Sequence, residues 1–420
     1  GCDYNCSVRL TTAKPYTPQS IAEEEKEDLT TADVYITPLS ANTRGRVESN
    51  SRSGAVLECA TGEGSHTPEE KTVTICTFMQ APASCSEMEN EPITVEYIPT
   101  KQSMWWGTLG TVRPFLPFDP FLDARQIHAA LDKKNADVMT VIKILTNRTN
   151  AQRQSIASAF QNHTQKDLSA ALKKGLSGAV QELLLALMMT PARFDAHRLR
   201  QSMEGLGTDE EALLEVLCTR SQNQLRNITV AYHEEYGRYL ENDLISETSK
   251  EFTKLVLAIL KKEEINTPGK VDYELIEQDA KQLRDAVIAK KSNPEPWIQV
   301  LTSRNSDHLN RVLSRLEDLK GEAVEKTIQN SFSGDMRLGL QVLVHTIQNT
   351  PLFLAQRLHT CMKKSSVVHG IMVARSEEDL LRVRVEFCKL TNLSLYSTIQ
   401  KEFKGELQLA LLALCRSEDA

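Results

Sequence analysis

Leu217-Cys218-Thr219-Arg220 is a short stretch whose recurrence decides the fold. Leu145-Thr146-Asn147-Arg148, Leu301-Thr302-Ser303-Arg304 and Met372-Val373-Ala374-Arg375 match it, with the arginines 72, 84 and 71 residues apart. Thirty-two residues after each arginine stands Val180, Phe252, Met336 or Leu407, each opening an apolar helix face. In the second copy that face is Phe252, Leu255, Val256, Ile259 and Leu260, the stripe of a helix packed on one side. Val180, Leu183, Leu184, Leu187 and Met188 repeat it in the first copy at the same offsets. One stripe at one offset in four copies predicts an all-α array of repeats of about 70 residues, several short helices each. Thr190-Pro191 and Thr350-Pro351 open repeats two and four alike, with threonine as N-cap and proline at the first helical position. Phe194, Arg198, Leu199 and Met203 then align with Phe353, Arg357, Leu358 and Met362. The longer 84-residue spacing fits a linker at Asn266-Thr267-Pro268-Gly269.

The boundaries implied are a tail over 1–117, repeat one over 118–190, repeat two over 191–265, a linker with repeat three over 266–349, and repeat four over 350–420. The tail holds 9 Lys/Arg against 16 Asp/Glu, including the run Glu23-Glu24-Glu25-Lys26-Glu27-Asp28, while the rest of the chain holds 40 of each. Such a composition buries too little apolar surface to offset backbone entropy, so the tail is expected to be acidic and mostly disordered. Two strand-like fragments, 72–78 and 93–98, interrupt it. A charge-neutral core has no bulk attraction for nucleic acid or for an anionic bilayer. If it meets a membrane, another source must supply positive charge. No run of 18 apolar residues and no charged start before an apolar stretch is present, so neither a membrane span nor a signal peptide is expected. Nine scattered cysteines without a CxxC pair fit free thiols in a reducing cytoplasm.

One loop carries legible chemistry: Met203-Glu204-Gly205-Leu206-Gly207-Thr208-Asp209-Glu210-Glu211. Two glycines in three positions let the backbone turn with its carbonyls outward. Thr208 and Glu211 have capping-box spacing for the next helix. Calcium takes six to eight oxygen ligands, carbonyls and a carboxylate among them, and Glu247, 39 positions after Thr208, can supply the acid. The histidines and cysteines form no triad or metal spacing, so an enzyme is not expected. Cys218 and Cys388 lie on apolar helix faces and are expected in the core.

The loop and its spaced acid, with Asn150-Ala151-Gln152-Arg153-Gln154, Ser376-Glu377 and Thr190-Pro191-Ala192-Arg193-Phe194-Asp195, are similar to annexin repeats. The resemblance covers about 118–420 and leans to the lipocortin type. It implies a curved disc of four repeats, about five helices each, with calcium loops on the convex face. It assigns Ca2+ to the carbonyls of Met203, Gly205 and Gly207 and to the Glu247 carboxylate, with acidic phospholipid completing the shell. It further implies peripheral, calcium-bridged membrane binding in the cytoplasm, indirect phospholipase A2 inhibition by covering lipid, and an EF-hand or other protein partner for the tail. No amphipathic docking helix is evident in the tail, although Met104-Trp105-Trp106 is an aromatic candidate for a contact.

The other repeats depart from the pattern. Repeat one reads Lys133-Lys134-Asn135-Ala136-Asp137 with Gly175 at the acid position. Repeat three reads Lys290-Lys291-Ser292-Asn293-Pro294 with Ser331 there. Repeat four keeps Glu402 but lacks four loop residues, Met362 to Arg375 being 13 against 17 for Met203 to Arg220. Glu204 stands where the family has a base. Two functions therefore compete: a calcium-dependent membrane binder with one site, and a degenerate, calcium-independent scaffold whose tail recruits partners.

Overall fold

The computed structural model describes residues 109–416 apart from 206, 249, 264–270 and 289–291, together with four three-residue strands. Contacts divide the chain into two units, 1–101 and 102–420. In the first, β1 (Cys6–Val8) pairs antiparallel with β2 (Ile36–Pro38), and β3 (Thr72–Thr74) with β4 (Thr94–Glu96). β3 and β4 lie inside the two strand-like fragments. Apart from residues 109–117, the rest of the expected disordered tail, with Met104-Trp105-Trp106, lies outside the described residues.

The second unit is helical throughout its described elements. Repeat one is α1 (Pro120–Leu131), α2 (Val138–Leu145), α3 (Asn150–Thr164), α4 (Leu168–Gly175) and α5 (Gly178–Met188). Repeat two is α6 (Pro191–Ser202), α7 (Glu210–Thr219), α8 (Gln222–Tyr236), α9 (Leu240–Glu247) and α10 (Lys250–Leu260). Repeat three is α11 (Tyr273–Ile288), α12 (Glu295–Ser303), α13 (Ser306–Lys320), α14 (Val324–Ser331) and the first part of α15 (Gly334–Cys361). The second part of α15, with α16 (Ser365–Arg375), α17 (Leu380–Thr391), α18 (Leu395–Glu402) and α19 (Gly405–Cys415), is repeat four. α15 breaks at Asn349, φ −160°, ψ 88°, so each repeat has five helical segments.

Local chemistry sets these boundaries. Thr149 with Gln152 and Ser221 with Gln224 form capping boxes at the starts of α3 and α8. Thr190 caps α6 as expected. In repeat four the cap moves one residue back. Asn349 Oδ1 accepts from the Leu352 amide at 3.1 Å, while the Thr350 hydroxyl donates to Thr346 O at 2.8 Å. The stripes read from sequence face inward: Phe252, Leu255, Val256, Ile259 and Leu260 are all buried, as are Val180, Leu183, Leu184, Leu187 and Met188. Each such side chain contributes about 1.5–3 kcal/mol by leaving water. Cys388 departs from expectation. It is exposed, whereas Cys218 is half-buried and burial pushes its thiol up to about 12.

The recurring arginine has a partner that recurs with it. Arg148, Arg220 and Arg304 each clasp an aspartate 25 residues earlier, Asp123, Asp195 and Asp279, through two nitrogens at 2.7–3.3 Å. Such bidentate pairs are geometrically specific and tie the first helix of each repeat to the end of its second. In repeat four the aligned position is Leu354, and Arg375 turns to Asp379 at 2.7 Å instead.

The folded array begins earlier than position 118. Val112 N donates to Ser376 O at 2.9 Å, Leu381 N to Leu109 O at 3.0 Å, and the Thr111 hydroxyl to Leu414 O at 2.6 Å. Leu109 and Val112 are buried. Residues 109–117, read from composition as tail, are a strap on repeat four that reaches repeat one. There Phe115 exchanges hydrogen bonds with the Gln152 side chain and stacks on Arg148 at 3.6 Å. A short, Pro-rich segment has no period by which such packing could be read.

His369 in α16 is 7% exposed and its Nε2 has no partner among the described residues. Burial lowers its pKa from 6.5 to about 4. The unfolded chain therefore binds this proton more readily than the folded one between those values. The neutral ring's contribution is complete above pH 6.5 and is lost as pH falls toward 4. From pH 7 to pH 5 that loss is about 2 kcal/mol. His369→Leu should flatten this part of the urea-stability profile; an unchanged slope would refute the assignment.

Candidate metal centre

α6 ends at Ser202, and the chain must reverse to begin α7 at Glu210. Met203 caps α6, its side chain buried and its carbonyl among those a helix end leaves without an internal donor. Gly205 and Gly207 adopt φ +106° and +88°, a region costly for any side chain. Among the described residues no hydrogen bond takes up the carbonyls of Met203, Gly205 or Gly207. The Asp209 amide closes the loop onto Ser202 O at 2.8 Å.

Thr208 behaves differently from expectation. Asp209, not Thr208, caps α7, accepting from Ala212 N at 3.0 Å. Glu211 is no capping-box partner either, because it pairs with Arg357 at 2.8 Å. The Thr208 hydroxyl is thereby free to donate to the backbone carbonyl of Glu247 at 3.0 Å. One direct bond thus joins the glycine loop to the last residue of α9. Glu247 itself is exposed, and its carboxylate has no hydrogen bond among the described residues.

A network centred on the buried Asp243, one turn back, holds this arrangement. Asp243 accepts from Tyr232 at 2.6 Å, from Arg238 Nε at 2.9 Å and from Arg200 at 3.4 Å. The Arg238 hydrogen bond holds the Asp243 carboxyl below the usual carboxylate range. Arg200 also donates to Glu204 at 2.7 Å, so α6, the loop and α9 share one guanidinium. None of this was legible beforehand, since Ala171, Thr327 and Thr398 occupy the matching places and no repeat signature exists.

The other three repeats show what the glycines contribute. Asp137 N bonds Ala130 O and Asn293 N bonds Ala286 O, both at 2.9 Å, so repeats one and three close their loops as repeat two does. Lys133 and Asn135, which stand where Gly205 and Gly207 do, have no positive φ. Their carbonyls are aimed by a different turn. In repeat four three residues separate Cys361 from Ser365, against the seven between Ser202 and Glu210. The fourth helices nevertheless end alike, on Gly175, Glu247, Ser331 and Glu402.

Hard carbonyl oxygens with one carboxylate suit calcium better than zinc, which prefers nitrogen and sulfur. Among the described residues no three His, Cys, Asp or Glu side chains cluster to hold a metal, so any metal here leans on backbone.

The annexin family model matches residues 122–187, 194–259, 278–343 and 353–414, one match per repeat. The chain belongs to the annexin family. Human annexin A9 is 38% identical over 318 residues, 75% of this chain and 92% of that protein. Among solved structures, annexin III superposes with a TM-score of 0.72 at 36% identity, covering 74% of this chain and 98% of that one. Chicken annexin V in complex with Zn2+ gives 0.69 at 38%, covering 73% and 98%. The four repeats form the curved disc of that family. Annexins are in general non-enzymatic and bind phospholipid in a calcium-dependent way. Among the described residues no helix of this annexin is long and apolar enough to cross a membrane.

One local departure from annexin symmetry has an energetic consequence. Gly178, Gly334 and Gly405 open the fifth helices at φ +66°, +58° and +65°, and Lys250 takes the same place at +57°. A side chain there costs about 1 kcal/mol. Lys250→Gly should raise the unfolding free energy in urea by that amount, as a higher midpoint with an unchanged m-value; a loss of stability would show that the lysine side chain outweighs the strain.

Proposed function

We propose that this annexin attaches peripherally to anionic phospholipid membranes through a single Ca2+ in repeat two. The ion is held by the carbonyls of Met203, Gly205 and Gly207 and by the Glu247 carboxylate, and lipid phosphate oxygens complete its shell. The observation that supports this most is the Thr208–Glu247 hydrogen bond of 3.0 Å, which closes the carbonyl loop onto the acid. Calcium supplies the positive charge that residues 118–420, with equal numbers of acids and bases, lack. One carboxylate makes a weak site, because affinity follows ligand charge. The protein therefore responds to higher calcium than a multi-site annexin. It acts in the cytoplasm, and it restrains phospholipase A2 by covering lipid rather than by contacting the enzyme.

Sedimentation with phosphatidylserine vesicles at about 0.15 M salt tests this. Bound protein should rise with calcium, and phosphatidylcholine vesicles should not support it. Sedimentation indifferent to calcium contradicts the proposal.

A further inference from the structure

We infer that repeat one carries a calcium-independent contact for anionic lipid, built from Lys133, Lys134, Lys173 and Lys174 where repeat two has its loop and acid. The two places are structurally equivalent. The α1–α2 loop is closed by Asp137 N to Ala130 O, 2.9 Å, as the α6–α7 loop is closed by Asp209 N to Ser202 O, 2.8 Å. The end of α1 packs on the end of α4: a Cβ on Gly175 would lie 2.9 Å from Leu131 Cδ2. That contact brings the loop holding Lys133 and Lys134 beside the last turn holding Lys173 and Lys174.

All four lysines are exposed. Lys133 bonds Asp137 at 2.8 Å, and Asp132 is the other acid of the loop. Lys134, Lys173 and Lys174 are in no ion pair among the described residues. The place is therefore net positive, whereas its counterpart in repeat two presents Glu204, Asp209 and Glu247. Lysines in a last turn offset the helix dipole, which accounts for Lys173 and Lys174. It does not account for Lys133 and Lys134, which lie beyond the end of a different helix.

A pattern across the repeats points the same way. Lys133-Lys134 begins two residues after Leu131, the end of α1, and the exposed pair Lys363-Lys364 begins two residues after Cys361, the end of α15. The sequence places Lys290-Lys291 two residues after Ile288, outside the described residues. The loop with the two glycines has Glu204-Gly205 there instead. Fixed cations stand in the loops that cannot recruit one. The occupant is the headgroup layer of an anionic membrane, because these loops are the counterparts of the one proposed to face lipid. In that choice of face the inference rests on the proposed function.

The test is sedimentation of the full chain with phosphatidylserine vesicles in EGTA at about 0.05 M and about 0.15 M salt. The parent should bind at low salt, lose affinity steeply at the higher salt, and ignore phosphatidylcholine. A lysine near an anionic surface is worth roughly fivefold in affinity, so K133Q/K134Q/K173Q/K174Q should bind on the order of a hundredfold more weakly, allowing for the lysine that Asp137 holds. Its added binding in calcium should persist, and Glu247→Gln should leave binding in EGTA intact. If the quadruple variant loses cooperative melting, K134E/K174E, which disturbs no described ion pair, must show the loss of binding. A parent that does not sediment in EGTA, a quadruple variant that sediments like the parent, or a parent that binds heparin but not vesicles would each overturn the inference. Loss of the calcium response with binding in EGTA intact would sink the proposed function instead.

Discussion

Glu247→Gln is expected to abolish most calcium-dependent vesicle binding, raising half-maximal calcium by at least about tenfold. An amide oxygen carries no charge and cannot chelate through two oxygens, and Glu247 is the one carboxylate assigned to the ion. The substitution should leave the fold alone, because the side chain is exposed and unbonded among the described residues, and the Thr208 contact uses the Glu247 backbone. Unchanged thermal melting would confirm that. Glu402→Gln is the matched comparison. It ends α18 as Glu247 ends α9, but faces a three-residue connection, so it should alter nothing. If Glu247→Gln binds vesicles like the parent, the ion is not in repeat two.

The second large effect is on stability. Glu215 in α7 is 2% exposed and lies between two arginines, Arg198 of α6 and Arg357 of α15. Arg357 Nε donates to it at 2.7 Å, and Arg357 also reaches Glu211 at 2.8 Å. Burial alone would raise the Glu215 carboxyl; Arg198 and Arg357 outweigh it and hold it below the usual range. Its stabilising effect is thus present above the unfolded carboxylate pKa of 4.5 and is lost as pH falls through the lower folded value. That window opens at lower pH than the one set by His369. Glu215→Leu should cost about 3 kcal/mol in urea unfolding, since it removes the buried carboxylate that two guanidinium groups share and leaves Arg357 with Glu211 and Arg198 with the more distant Asp195. Glu215→Leu combined with Arg357→Leu should cost less than the two single losses added, because one unpaired charge is removed. A loss under about 1 kcal/mol for Glu215→Leu would mean that water already solvates this junction of repeats two and four.

What could be read from sequence follows from what repeats. The arginines, the apolar stripes and the shortened loop of repeat four recur at fixed offsets, and periodicity makes such features visible in one chain. Met203, Gly205, Gly207 and Glu247 stand out because a loop and an acid keep the spacing of the annexin pattern, and their holding calcium is the proposal made above. What escaped is specific to one place. Asp243, Arg200 and Tyr232 lock α9 against α6 in repeat two, where the places matching Asp243 in the other repeats hold Ala171, Thr327 and Thr398. The strap over 109–117 has no period and hides in a Pro-rich stretch. Thr208 and Asp209 both have capping chemistry and stand side by side; Asp209 caps α7 while the Thr208 hydroxyl donates to the Glu247 carbonyl. The Asp123, Asp195 and Asp279 set does repeat, 25 residues before its arginines, and is as periodic as they are.

The stoichiometry of bound calcium tests the central claim most directly. Equilibrium dialysis of the full chain against Ca2+ with phosphatidylserine vesicles present should give one ion per chain, and none for Glu247→Gln. Two or more ions per chain, or one that survives Glu247→Gln, would contradict it.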